Sequence, residues 1–340
     1  MHLDGPPTHL FSRLPQKIFH PALTFPLTEE TDETGDDIRG ESYWIAITKD
    51  GKTQSEGKLF LPEQHSDQSN LILFTPGMPG GTFCRFTEKR FVNPLLKEGN
   101  SVLVLRHLGT WMNTGSSKEF IACPERERRG KSLHQETIGE QKPYDVHQLV
   151  GEVTEALRAL GPSFANISLI GHSSGALGEA LALQEIPEDI QRKIRHFISL
   201  AGLVGGTEHL RWWLRNRILF TIYLWYCQEI IHLKSPPLNI QKLEEMFRKL
   251  YKHTLPSHIM QISIHAPGDE LIHPVAAERY QQYNKRGLHI IDHTETPFYH
   301  QLPNLRAETL LRLLSIYHPQ ACHTVTFTRK EPRPPLASPS

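Results

Sequence analysis

The stretch that most constrains the chain is Ile167 to Gly175, ISLIGHSSG. An apolar run, Ile167 to Ile170, passes through Gly171-His172-Ser173-Ser174-Gly175 into a segment with helical character, Ala176 to Gln184, with no room for a loop between them. A strand that becomes a helix within so few residues needs a very tight turn. Glycines two positions either side of Ser173 let the backbone take it. Ser173 is then expected at the apex, its hydroxyl exposed beyond the carboxyl end of the strand. The amide of Ser174 opens the helix, so an unpaired N–H and the positive end of the helix dipole face the same spot. That combination suits a nucleophile whose attack creates an oxyanion.

Around this turn the pattern alternates. Leu71 to Thr75, Ser101 to Arg106, Phe197 to Leu200, Met260 to Ile264 and Leu288 to Ile291 read as short buried strands. Tyr144 to Leu160 carries Val146, Leu149, Val150, Val153, Leu157 and Leu160 at helical spacing, and Glu308 to Tyr317 reads as a closing helix. Tyr43 to Thr48 and Lys58 to Leu61, joined through Asp50-Gly51, suggest an antiparallel start to the sheet. The fold class expected is α/β: a mostly parallel central sheet flanked by helices, with chemistry beyond the carboxyl ends of the strands. The expected divisions are a loosely packed acidic arm over 1–40, a core over 41–206 and 254–317, a helical lid insertion over 207–253, and a peripheral Pro-rich tail over 318–340.

Composition narrows the function. Of 340 residues, 37 are Lys or Arg and 37 are Asp or Glu, so no basic excess exists to neutralise a phosphate backbone, and no nucleic-acid partner is expected. Cys84, Cys123, Cys227 and Cys322 are widely separated, which argues against a zinc site and fits a reducing, cytoplasmic setting. The first residues lack a basic region followed by an apolar run, so no secretory signal is expected. The longest uncharged apolar run, Ile218 to Gln228, is too short to span a bilayer.

A serine hydroxyl needs a base, and the base an orienting acid. With the G-H-S-S-G turn, the alternating strands and later acid and histidine candidates in that chain order, residues 43 to 317 resemble the α/β-hydrolase superfamily. The resemblance implies a serine hydrolase with no metal or organic cofactor, and assigns the remaining parts. Asp269, in His265-Ala266-Pro267-Gly268-Asp269-Glu270-Leu271-Ile272-His273-Pro274, matches the acid loop after the penultimate strand; Glu270 is its neighbour and competitor. In the loop after the last strand, Asp292-His293-Thr294-Glu295-Thr296-Pro297-Phe298-Tyr299-His300, the base is His293 if two residues are inserted, or His300 if the loop is longer and folds back. Gly77-Met78-Pro79-Gly80-Gly81 resembles the superfamily's oxyanion loop, with Pro76 in place of the usual His. The Met78 amide would join that of Ser174, since Pro79 has no N–H.

Three of the five tryptophans fall in the expected lid, and Trp212, Trp213, Phe220 and Tyr223 there are candidates to line an apolar substrate. The expected substrate is a small apolar ester or thioester. Amide cleavage, transacylation and C–C cleavage fit the same triad, and a specialised tailoring hydrolase or a catalytically inactive ligand-binding relative are the alternatives.

Overall fold

A computed structural model of the chain describes residues 25–26, 40–49, 52–63, 69–77, 91–107, 146–206, 210–216, 218–219, 222, 240–269, 271–273, 275, 288–292, 310–311, 313–314 and 323–327. Among these, ten strands form one sheet: β1 (Phe25–Pro26), β2 (Glu41–Lys49), β3 (Lys52–Leu61), β4 (Asn70–Thr75), β5 (Asn100–Arg106), β6 (Asn166–His172), β7 (Ile194–Leu200), β8 (Met260–His265), β9 (Leu288–Asp292) and β10 (His323–Phe327). Their spatial order is β1-β2-β3-β5-β4-β6-β7-β8-β9-β10. From β5 through β10 every neighbouring pair is parallel, while β3 runs antiparallel to both β2 and β5.

The apolar runs become central strands because both faces of the sheet are covered. Side chains of a strand alternate between faces, and here Leu71 and Leu73 of β4 join one apolar cluster while Ile72 and Phe74 join the other. In β5, Leu103 and Leu105 divide from Val102 and Val104 in the same way. Helices α1 (Asn93–Lys97), α2 (Val146–Leu160), α3 (Ser174–Ala182), α4 (Glu188–Gln191), α5 (Trp212–Arg215) and α6 (Ile240–Leu250) connect or flank the strands. Val150, Val153 and Leu157 of α2 lie in the first cluster with Leu177 and Leu181 of α3; Leu95 and Leu96 of α1 lie in the second with Leu310 and Leu313. No helix among the described residues is long and apolar enough to cross a membrane.

Four expectations are revised. β3 begins at Lys52, six residues before the expected strand, because Lys49 pairs with Lys52 and the whole edge of β2 is available to it. The tail over 318–340 is not wholly peripheral: His323–Phe327 pairs in parallel with β9. The arm over 1–40 likewise contributes Phe25–Pro26, paired with Tyr43 and Trp44. Finally, the second half of the expected lid belongs to the core. In α6, Leu243, Met246, Phe247 and Leu250 are buried in the first cluster, at the spacing of one helical face, and the Tyr251 hydroxyl donates to Val204 O at 2.7 Å.

This assignment separates the two halves of the insertion by stability. Phe247→Ala should cost about 3–5 kcal/mol by removing a buried aromatic ring. Ile218→Ala, at a side chain 72% exposed, should change stability by no more than about 0.5 kcal/mol. Urea unfolding of the two variants checks this.

Candidate active site

The turn after β6 has the strained geometry expected of it. Ser173 has φ 52° and ψ −121°, in the left-handed half of conformational space that a non-glycine residue rarely enters. Its backbone is held from β7 and beyond: Ser173 N–H donates to Leu200 O at 3.0 Å, and Ser173 O accepts from Leu203 N–H at 2.9 Å and Ala176 N–H at 3.2 Å. The side chain is half-buried, and Ser174, the first residue of α3, is buried. Ser174 stands at the N-terminus of α3, the positive end of the helix dipole.

Close packing explains the glycines. A methyl group at Gly175 would sit 2.2 Å from Thr75 O and 2.7 Å from Pro76 O, so α3 starts in direct contact with the end of β4. A methyl group at Gly77 would lie 2.6 Å from Ser173 Cβ and 3.0 Å from His172 Nδ1. Gly77, two residues past the end of β4, is thereby seated on the serine. Met78, the expected second oxyanion donor, lies outside the described residues, one position beyond Gly77.

Asp269 lies four residues past the end of β8 and is wholly buried. Its Oδ1 accepts the amides of Leu271 and Ile272, both at 2.8 Å, which fixes the carboxylate by an Asx-type turn. Because β6, β7 and β8 are consecutive neighbours, the strands carrying Ser173 and Asp269 are separated by roughly 10 Å, two strand spacings. Both residues stand at the carboxyl edge, with β7 between them. His293 and His300 lie outside the described residues, as does Glu270; β9 ends at Asp292, one residue before His293.

Of the aromatic candidates, Trp212 on α5 is 69% exposed, so it is not packed into the core, although its neighbour Leu214 is buried. Phe220 and Tyr223 and the side chain of Trp213 lie outside the described residues. Among the described residues no group of three or more His, Cys, Asp or Glu side chains is gathered as a metal site would be.

Three contributors were not singled out from the sequence. Arg211 clamps the acid loop: its Nε donates to Asp269 O at 2.6 Å, its Nη2 to Pro267 O at 3.2 Å, and its own N–H to Leu271 O at 3.0 Å. Buried His107 meets Glu152 Oε2 through Nδ1 at 2.9 Å and Pro76 O through Nε2 at 2.7 Å. Glu152 occupies the apolar face of α2 between Leu149 and Val153, and a charge at such a position was the available signal. Glu179 of α3 is the third. Its carboxyl is fully buried beside Gly171, Thr75 and Ile170, yet neither oxygen makes a hydrogen bond of good geometry. Burial, only partly offset by the nearby Thr75 and Ile170 groups, holds its pKa well above the ordinary 4.5 and favours the neutral acid.

Comparison with known proteins supports the architecture. No family model matches the chain, and neither does any curated protein. An esterase from Pyrobaculum calidifontis is similar in structure, with 11% sequence identity and a TM-score of 0.51 over 80% of this chain and 83% of that one. Est1E from Butyrivibrio proteoclasticus, solved with ferulic acid bound, is similar at 14% identity and a TM-score of 0.50, over 80% of this chain and 99% of that one. The chain has the α/β-hydrolase fold. At such identities the likeness extends to the fold alone, and the chemistry has to be argued from the residues. In this α/β-hydrolase fold Ser173 directly follows β6 and Asp269 lies four residues past β8.

The buried acid of α3 gives a measurable pH dependence. With its folded-state pKa raised, the unfolded chain releases this proton first as pH rises. The stabilising effect of the neutral acid is therefore complete below the ordinary carboxylate pKa and is lost as pH climbs from there through the raised folded value. Glu179→Gln has no such proton, so its stability relative to wild type should improve as pH is raised through the range above 4.5 in denaturant titrations. A difference that stays flat across that range contradicts the assignment.

Proposed function

We propose that the chain is a serine hydrolase acting on an ester or thioester of a small apolar molecule through an acyl-enzyme on Ser173. The observation that carries this reading is the serine at φ 52° with Gly77 packed on one side and the start of α3 on the other. Strain of this kind persists only where the surroundings enforce it. Here the surroundings are the parts an acyl-transfer site needs.

In the proposed reaction Ser173 Oγ attacks the carbonyl carbon while His293, or His300 in the longer-loop alternative, takes its proton. Asp269 orients that imidazole and stabilises the imidazolium. The carbonyl oxygen gains negative charge, which the amides of Ser174 and Met78 receive; one such donor is worth about 2.7–4 kcal/mol in the transition state. The protonated histidine then gives its proton to the departing alcohol or thiol. Water repeats the sequence in reverse on the acyl-enzyme, releasing the acid and restoring the serine. No resident cofactor enters these steps. We assign the first half of the 207–253 segment to covering the carboxyl edge, supported by the β-bridge between Leu210 and Ile272, which ties its start to the acid loop. Trp212, Trp213, Phe220 and Tyr223 are the residues assigned to the apolar part of the substrate.

A fluorophosphonate probe tests the reading. Stoichiometric labelling at Ser173 that disappears in Ser173→Ala is expected, with Asp269→Asn slowing labelling by at least about 10³-fold through loss of the correct histidine tautomer. Folded wild-type protein that takes up no probe would leave the inactive binding protein as the better description.

A further inference from the structure

The His107–Glu152 pair does more than fill space. Pro76 O can only accept a hydrogen bond, so His107 Nε2, 2.7 Å away, carries a hydrogen. Nδ1 faces a carboxyl oxygen at 2.9 Å. Either Nδ1–H donates to a carboxylate, or the neutral acid donates to Nδ1; in both cases one proton lies between the two side chains. Both side chains are fully buried. Removing them from water is costly, and apolar groups would fill the same volume without that cost. What apolar groups cannot do is hold a carbonyl in one direction.

The carbonyl concerned is at a decisive place. Pro76 O belongs to the peptide joining Pro76 to Gly77, and Gly77 is the residue in contact with Ser173. On the other side Pro76 O lies against Gly175 at the start of α3, where a methyl group would approach it to 2.7 Å. The peptide is planar and trans, so fixing the carbonyl toward His107 sends the Gly77 N–H the opposite way and sets the direction of the chain leaving β4. Glu152 reaches this point from α2 and His107 from the end of β5. The pair thus connects two elements to the Pro76–Gly77 peptide, whose rotation would redirect the chain leaving β4.

We propose that His107 and Glu152 form a positioning unit that locks the Pro76–Gly77 peptide against Ser173 and so sets the direction in which the chain leaves β4 beside the reacting serine. Glu152 sets the ring, and the ring holds the peptide; neither touches substrate. This assignment rests on the serine-hydrolase reading for its kinetic consequence, but its structural half is independent of that reading.

Two substitutions at one position separate the roles. In His107→Gln the amide nitrogen reaches about as far as Nε2 and can still donate to Pro76 O. In His107→Asn the amide nitrogen matches Nδ1, keeps Glu152 company and falls short of Pro76. His107→Asn should lower kcat for an activated ester such as p-nitrophenyl butyrate about 10²-fold, with KM within about twofold, as expected when an oxyanion donor is misplaced. His107→Gln should recover most of that loss. Amide hydrogen exchange at Gly77, read by NMR, should quicken at least about tenfold in the Asn variant and not in the Gln variant. If the Asn variant does not fold, Glu152→Leu, which leaves the donor but frees the ring, should quicken the same exchange. Equal exchange at Gly77 in wild type, the Gln variant and the Asn or Leu variant overturns the proposal. So does a lowered melting temperature with unchanged kcat per labelled serine. A wild type that neither turns over ester nor takes up probe removes the hydrolase reading instead, and the exchange comparison still decides the role of the pair.

Discussion

The structure depends on contact without clearance at one place. The end of β4, the turn at Ser173 and the start of α3 meet so closely that no side chain fits between them: 2.6 Å from a Gly77 methyl to Ser173 Cβ, and 2.2 Å from a Gly175 methyl to Thr75 O. This junction forces a serine into a backbone conformation it would not choose, and it brings the serine, the helix N-terminus and the Pro76–Gly77 peptide to one point. The sheet is what makes such contact possible. Parallel neighbours β4 and β6 pair from Asn70 with Asn166 up to Thr75 with Gly171, so both strands end level and their exits collide.

Around this junction, charged and polar groups steer backbone, Asp269 and His107 wholly buried and Arg211 half-buried. Oδ1 of Asp269 takes two amides, Arg211 takes the carbonyls of Pro267 and Asp269, and His107 takes that of Pro76. Each buried group has a direction to enforce, which an apolar residue could not do. Glu179 is the exception. It is buried beneath the turn without a hydrogen bond of good geometry, and its neutral form limits the cost.

Much of this was legible in the sequence because it rests on local rules. Apolar runs such as Leu71 to Thr75 and Ser101 to Arg106 were readable as two-sided buried strands, and their ends shift by only one residue in the structure. Ser173 was readable because a strand, two glycines and a helix leave few ways to turn. The parts that were not legible depend on partners distant in the chain. Nothing near His107 announces that Glu152, 45 residues on, and Pro76, 31 residues back, will enclose it. The polar-looking Lys52 to Gly57 becomes strand only because β2 offers it an edge, and the strand at His323–Phe327 exists only beside β9. Likewise the amphipathic Ile240–Leu250 reads equally well as lid or core until α2 and α3 are in place to receive it.

On the proposed hydrolase reading, the junction at Ser173 receives a tetrahedral oxyanion. A crystal structure of the chain after inactivation by a diethyl phosphate ester tests it most directly, because the adduct mimics that geometry. The expected result is phosphorus bonded to Ser173 Oγ and the phosphoryl oxygen within about 2.7–3.1 Å of the Ser174 amide and a second amide from the chain after β4. Phosphorus on another residue, or a phosphoryl oxygen turned away from both amides, would contradict it.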